Sequence, residues 1–202
     1  MDPAGTKKSR EREVFDAVYR SRMPARVVPS ERPDFLVRLA AESDEFGVEV
    51  AEFFDSKAEA RLQRLPRYVD DLLDGGDFRH KEDRRQLTVG KVSITDADGT
   101  VRHPDVPAVI REVPKLETCS RKVAELIRAK DAKLRGAPCN LSHINLIVAD
   151  WTHLLGHLER DSFYRLFCGP ELRQAVRGCR FREVYFVTSF KPGRAYVPLK
   201  LL

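Results

Sequence analysis

Residues 32–54, RPDFLVRLAAESDEFGVEVAEFF, decide how the rest of the chain is interpreted, because they predict two strands joined by a polar turn. The apolar residues alternate at 35, 37 and 39 and again at 46, 48 and 50, and the polar segment 41–45 favours an antiparallel hairpin. Alternation places Glu49 on the other face of its strand, and by strand parity Asp34 could share a face with it. A carboxylate between two valines is costly to bury unless a partner such as a divalent cation compensates its charge. The stretch therefore predicts a pair of acids beside one another on a hairpin.

The spacing of these acids resembles the motif of the PD-(D/E)xK nuclease superfamily. Pro33-Asp34 is followed, fifteen residues after the aspartate, by Glu49 inside an apolar strand. The resemblance implies an αβββαβ core and metal-dependent hydrolysis of nucleic acid. The family motif ends with a lysine two residues after the second acid, and in this chain that position is Ala51. Some members carry the lysine on a following helix, and others have lost activity.

The same resemblance implies a set of metal ligands. Asp34 and Glu49 would bind Mg²⁺ or Mn²⁺ through their carboxylates, and the main-chain carbonyl of Val50 would be a third ligand. The first helix often contributes a glutamate in this family. Glu11 is the candidate here because it shares a face with apolar residues 15 and 18, and Glu13 is the second choice. A solvated acid near a helix start is the plainer interpretation of either glutamate.

The displaced lysine is expected on the long helix predicted over residues 115–135. Lys130 follows the apolar stripe of that helix at helical spacing and is the first candidate for a catalytic lysine, with Lys133 as the alternative. A solvent-exposed lysine remains the plainer interpretation of either residue.

Basic residues supply the candidate nucleic-acid contacts. The chain has a formal net charge of +5, which permits nucleic-acid binding without establishing it. The densest basic run lies before the strand at 86–95, and the long helix adds further lysines. A run of this kind is also typical of a solvated face. The candidates are Arg79, Lys81, Arg84, Arg85, Lys122 and Lys133.

The remaining elements predict one α/β domain over residues 1–202. We divide it into a helix and acid-bearing hairpin at 8–54, a helical insertion with a basic loop at 55–85, and the remaining sheet and helices at 86–202. Helices are predicted at 8–21, with Ser9 as a cap, and at 56–73, broken at Pro66. Residues 23–32 are interpreted as a connector. Strands at 143–150 and 181–190 and an edge strand at 196–202 complete a mixed sheet of at least five strands with helices on both faces.

Several other classes of protein are disfavoured. No apolar run approaches the roughly 20 residues that span a bilayer, and the N-terminus does not resemble a secretory signal, so a cytoplasmic protein is expected. The four cysteines lack the paired spacing of a zinc site. His153 and His157 have the spacing of a helical metal pair, but the adjacent glutamate of a metalloprotease is absent.

Three hypotheses for function therefore remain. The first is a metal-dependent nuclease acting on nucleic acid, with DNA preferred over RNA as the partner and a homodimer as a possible assembly. The second is an inactive nuclease fold that binds nucleic acid or a protein, which the alanine at position 51 favours. In the third the resemblance is accidental, and Glu49 pairs across the hairpin with an arginine such as Arg38.

Overall fold

The computed structural model describes residues 3–40, 44–112, 114–134, 141–151, 155, 160–190 and 193–201. These residues form six α-helices, two short 3₁₀ helices (Arg20–Arg22 and Asp83–Arg85) and eight strands. The helices are α1 (Pro3–Tyr19), α2 (Lys57–Arg64), α3 (Tyr68–Leu73), α4 (Leu116–Leu134), α5 (Arg160–Leu166) and α6 (Pro170–Gly178). The strands are β1 (Pro24–Pro29), β2 (Phe35–Leu39), β3 (Phe46–Phe53), β4 (Leu87–Thr95), β5 (Val101–Arg111), β6 (Ile144–Asp150), β7 (Val184–Phe190) and β8 (Gly193–Lys200).

The chain divides into two compact units, of which the larger comprises residues 1–53 and 115–202. Its sheet has the order β1-β2-β3-β6-β7-β8. The pairs β3/β6 and β6/β7 are parallel, and the pairs β1/β2, β2/β3 and β7/β8 are antiparallel. The predicted mixed sheet with flanking helices is therefore confirmed.

Helices cover both faces of this sheet because the strands alternate their buried side chains. On one face α1 packs Phe15 and Tyr19 against Phe35 and Phe46, with ring centroids 4.8 Å and 6.0 Å apart for Phe15–Phe35 and Tyr19–Phe46. On the other face α4 and α6 cover Ala51 and the apolar residues of β6 and β7. Successive residues of β3 thus face α1 and α4 in turn, so that position 49 faces the α4 side.

The smaller unit comprises residues 54–114 and holds α2, α3, β4 and β5. Its helices are separate elements with Pro66 between them, as the proline predicts. Strands β4 and β5 pair only with each other, in a two-stranded sheet. Arg111 binds Asp55 at 2.6 Å and Glu59 at 3.0 Å, and these ion pairs join β5 to the start of this unit.

Three details of the predicted elements were wrong. Helix α1 begins at Pro3, so Ser9 lies inside the helix instead of capping it. Residues 24–29 form β1, although they were interpreted as a connector, because an edge strand tolerates the prolines at its ends. The predicted strand at 86–95 exists as β4 but is not part of the six-stranded sheet. None of the described helices is long and apolar enough to cross a membrane.

Candidate active site

The hairpin of β2 and β3 brings the two predicted acids side by side. Its register pairs Phe35 with Val48, and continuing it by one residue pairs Asp34 with Glu49. Directly opposed residues of an antiparallel pair project from the same face of the sheet. Asp34 Oδ2 accepts a hydrogen bond of 2.8 Å from the Val50 N–H, which fixes the carboxylate at the entrance to β2.

The environment of Asp34 disfavours its ionised form. Burial raises the pKa of its carboxyl group to about 6, the Val50 N–H opposes this shift, and the nearby charges of Glu49 and Glu11 add to it. Lys130 also acts on this pKa, by lowering it. Carboxylates that are held close together in a partly dry cleft favour a bound cation, since a cation relieves both the repulsion and the desolvation.

Lys130 reaches the acids from α4. Its ammonium donates to Glu49 Oε1 at 2.5 Å and to the main-chain carbonyl of Val50 at 3.1 Å. Ala51, in the motif position, is only 1% exposed and lies in the apolar cluster beneath α4. The helix thus covers position 51 and delivers a lysine from one turn beyond the buried Ile127. Within the described residues, the ion pair of Glu49 is with Lys130 and not with Arg38.

Helix α1 supplies a third carboxylate. Glu11 is 7% exposed and forms an ion pair of 3.2 Å with Lys7, one turn earlier. Because Glu11 contributes to the raised pKa of Asp34, it lies within electrostatic reach of the acid pair. Glu13 is exposed and does not line the cleft.

Asp34, Glu49 and Lys130 line one cleft of about 400 Å³, and Glu11 is not among its lining residues. Both basic and acidic side chains line the cleft. The acidic side chains suit a bound cation, and the basic side chains suit an anionic ligand. Its lining residues are Lys7, Glu31, Arg32, Pro33, Asp34, Glu49, Val50, Lys130, Lys133, Leu134 and Ile144.

The donor set for a metal consists of two carboxylates and a carbonyl. Within the described ranges, no three His, Cys, Asp or Glu side chains are grouped so as to hold a metal ion by themselves. Mg²⁺ typically keeps several waters and takes only one or two protein carboxylates, all as oxygen ligands. Asp34, Glu49 and the Val50 carbonyl fit that requirement in type and number.

The predicted nucleic-acid contacts fall into two groups. In the smaller unit Arg79 is paired with Asp71, and Arg84 with Asp77 at 3.0 Å, so internal acids compensate both charges. Lys81 and Arg85 are exposed in the same loop. In the larger unit Lys133 is exposed and lines the cleft, whereas Lys122 is half-buried on α4 and outside it. Of the six candidates, only Lys133 lies beside the acids.

Other predicted side chains do not contribute to the cleft. His153 and His157 lie outside the described residues. Cys119 and Cys179 are buried and Cys168 is exposed, and Cys139 also lies outside the described residues.

Sequence reasoning missed two groups of polar residues. Lys7 lines the cleft, and the only signal for it was its i,i+4 spacing from Glu11. Away from the cleft, Asn145 is 1% exposed and its Nδ2 donates to Tyr19 Oη and Glu183 Oε2, each at 2.8 Å. This second network joins β6, β7 and α1, and the sequence carries no local pattern for it.

Comparison of the chain with protein-family models, curated proteins and solved structures finds no match.

Proposed function

We propose that this chain is a divalent-metal-dependent nuclease of the PD-(D/E)xK superfamily whose catalytic lysine is Lys130. The observation that carries the proposal is the contact of the Lys130 ammonium with both Glu49 and the Val50 carbonyl, beside Asp34. Two acids, a carbonyl and a lysine are the parts that the family motif would bring together. Here the lysine comes from a helix because α4 buries position 51.

The order of elements supports the same assignment. With residues 54–114 treated as an insertion, the larger unit runs α1, β1, β2, β3, α4, β6. This is the αβββαβ succession that the resemblance implies. The parallel pairing of β3 with β6 across α4 places the helix over the acid-bearing strand.

Mg²⁺ or Mn²⁺ would be held by Asp34, Glu49 and the Val50 carbonyl, and Glu11 is near enough to add negative charge. When bound, such an ion supplies Lewis-acid activation of water and charge neutralisation at the phosphate. The chain's own residues orient the reactants. Lys130 is placed to donate to an oxygen at the acid pair, and it would stabilise negative charge that develops there.

Positive groups at the rim of the cleft would hold the phosphate backbone. Lys7, Arg32 and Lys133 line it beside the acids. Binding through such groups should weaken steeply as salt rises, because it releases condensed counterions. We keep DNA as the first substrate to test, and a homodimer as the assembly to look for. The scattered cysteines suit the reducing cytoplasm expected from the sequence.

The test is cleavage of plasmid and single-stranded DNA in the presence of Mg²⁺ or Mn²⁺, with Asp34→Ala and Glu49→Ala as paired variants. We expect metal-dependent cleavage by the wild type and none by either variant. Cleavage that survives both substitutions would place the chemistry elsewhere and would overturn the proposal.

One observation favours a second function, a nuclease fold that binds nucleic acid without cutting it. The Lys130 ammonium already neutralises Glu49 and occupies the Val50 carbonyl, so two of the three candidate metal ligands are engaged without a metal. DNA binding that persists in the Asp34→Ala variant, together with no cleavage by the wild type in either metal, would establish this alternative.

A further inference from the structure

A second cavity lies at the other end of α4 from Lys130. It has a volume of about 370 Å³ and is bounded by the first turns of α4 and α6, where the two helices meet. Its lining residues are Leu116, Glu117, Thr118, Ser120, Arg121, Arg165, Gly169, Pro170 and Glu171. None of these residues lines the acid cleft.

Both helices begin at this cavity, and α6 begins without a side-chain cap. The Cys119 N–H donates to the Lys115 carbonyl at 3.1 Å, so the N–H groups at positions 116–118 precede the first helical hydrogen bond of α4. They have no acceptor among the residues that the structure describes. At the start of α6 the N-cap is Gly169, which has no side chain to offer, and the Glu171 N–H is likewise without a described acceptor. Two sets of free donors and two helix dipoles are thus directed at one cavity.

Ser120 provides an independent indication of a ligand. It is 7% exposed, its hydroxyl forms no hydrogen bond with any described residue, and it lines the cavity. A bound acceptor in the cavity would give this hydroxyl a hydrogen-bond partner. Gly169 makes room for this arrangement, because a Cβ at that position would lie 2.6 Å from Ser120 Oγ.

The charges around the cavity define the ligand. The Arg165 guanidinium forms no ion pair or hydrogen bond with a described residue, and that of Arg121 has only a 4.0 Å pairing with Glu125. Glu117 and Glu171 also line the cavity, so the formal charge of its four ionised side chains is zero. Backbone N–H groups, a hydroxyl and guanidinium groups suit phosphate oxygens, whereas the two acids oppose a multiply charged ligand.

We propose that this cavity binds a phosphodiester group, which carries one negative charge, and that the group belongs to a nucleic-acid strand. The phosphate site is inferred from the geometry of the cavity alone. The inference that the phosphate belongs to a nucleic-acid strand rests on the proposed function. Ser120 and Lys130 are ten residues apart on one helix, about 15 Å at 1.5 Å per residue. One strand of B-DNA advances about 3.4 Å per nucleotide, so the pocket would anchor a strand roughly four nucleotides from the acid cleft.

The test is a titration of the ¹⁵N-labelled full chain with diethyl phosphate, followed through the backbone amide shifts. We expect saturable shifts at residues 117, 118 and 171, with an affinity in the millimolar range. Ser120→Ala and Arg165→Gln should each weaken binding several-fold, whereas Arg177→Gln, an exposed arginine at the far end of α6, should not. The spectra also report whether each variant is folded. No shift at these amides, or shifts that both variants retain in full, would overturn the phosphate site.

A second arm identifies the source of the phosphate. A short single-stranded oligonucleotide is titrated into the Asp34→Asn/Glu49→Gln double variant, which keeps the probe intact. Shifts at the same amides, lost in Arg165→Gln, support a nucleic-acid source, and shifts with diethyl phosphate alone overturn it. These titrations measure binding and do not depend on cleavage. Binding at the second cavity can therefore be shown even if the wild type does not cleave DNA, so the two proposals are tested independently.

Discussion

Side chains from distant parts of the chain meet at the acid cleft. Among them, the Asp34 carboxylate is destabilised by burial and by neighbouring negative charges. Its carboxyl group is partly buried beside Glu49 and Glu11, and its pKa is raised to about 6. The unfolded chain releases the same proton near pH 3.8. The metal-free folded protein therefore binds the proton more tightly than the unfolded chain, and its stability falls as pH rises through this window.

This difference predicts a pH-dependent effect of Asp34→Asn, which cannot ionise but can still accept from the Val50 N–H. Relative to the wild type, the variant should gain about 1 kcal/mol in free energy of unfolding between pH 4 and pH 7, after discounting for the partial exposure of the carboxyl group. Urea denaturation of the metal-free proteins at both pH values measures it. Asp70→Asn, at an exposed position on α3, is the control. An equal difference from the wild type at both values would contradict the raised pKa.

The side chains of the cleft differ in how far the sequence could predict them. Strand alternation predicted that Asp34 and Glu49 could share a face, and the register that sets them side by side is known from the structure. Lys130 was predicted from the family resemblance, which implies a displaced lysine on this helix, and from its place beside the buried stripe of α4; the structure brings it to Glu49. Lys7 could not be predicted, because its position depends on α1 starting at Pro3, beyond the recognised periodicity.

Among the elements, the β2–β3 hairpin depends on a close approach at Gly47. A Cβ there would overlap Pro33 Cγ and would lie 3.0 Å from Leu141 Cδ1. Pro33 directly precedes Asp34, so the space at Gly47 sets where the first acid lies against β3. The glycine is therefore required for the geometry of the cleft.

Gly47→Ala should lower the free energy of unfolding by about 1–3 kcal/mol, because it overpacks this contact. It should also reduce cleavage, since it displaces Asp34. Gly178→Ala is the matched control, because nothing lies within 4 Å of its added Cβ and the residue ends α6. Thermal denaturation and the DNA cleavage assay measure the two effects. Wild-type stability and activity in Gly47→Ala would show that the contact is not needed.

Alternation of apolar and polar residues predicts that a segment is a strand, but it does not predict which sheet the strand joins. The buried runs of β6 and β7 were recognisable because strands covered on both faces are continuously apolar. The alternating residues of β4 predicted a strand correctly but could not say which sheet it joins. Partner choice depends on contacts distant in sequence, such as the pairing of β4 with β5 and that of Arg111 with Asp55 and Glu59.

In the whole chain, the acid cleft and the main apolar core belong to one unit. The core cluster and all residues that line the cleft come from residues 1–53 and 115–202. The smaller unit, residues 54–114, has its own polar ties, including Tyr68 Oη to Asp83 at 2.7 Å and Arg61 to Asp83 at 2.6 Å. Each unit therefore has internal contacts of its own.

This division predicts that residues 54–114 can be replaced by a flexible linker of about 15 residues. The shortened chain should unfold cooperatively and should still bind Mn²⁺, because the cleft remains complete. Circular dichroism and calorimetric titration measure these properties, with Glu49→Gln in the shortened chain as the control for the metal site. A shortened chain that folds but no longer binds Mn²⁺ would contradict a self-contained cleft.

The most direct measurement of the central claim is single-turnover DNA cleavage by Lys130→Met, with Mn²⁺ binding measured on the same preparation. Removing a lysine that stabilises developing charge should slow cleavage by about 100-fold or more and leave Mn²⁺ affinity equal or tighter, since the competing ammonium is gone. Lys57→Met, at an exposed position of the other unit, should behave as the wild type. Cleavage by Lys130→Met at the wild-type rate would contradict the account.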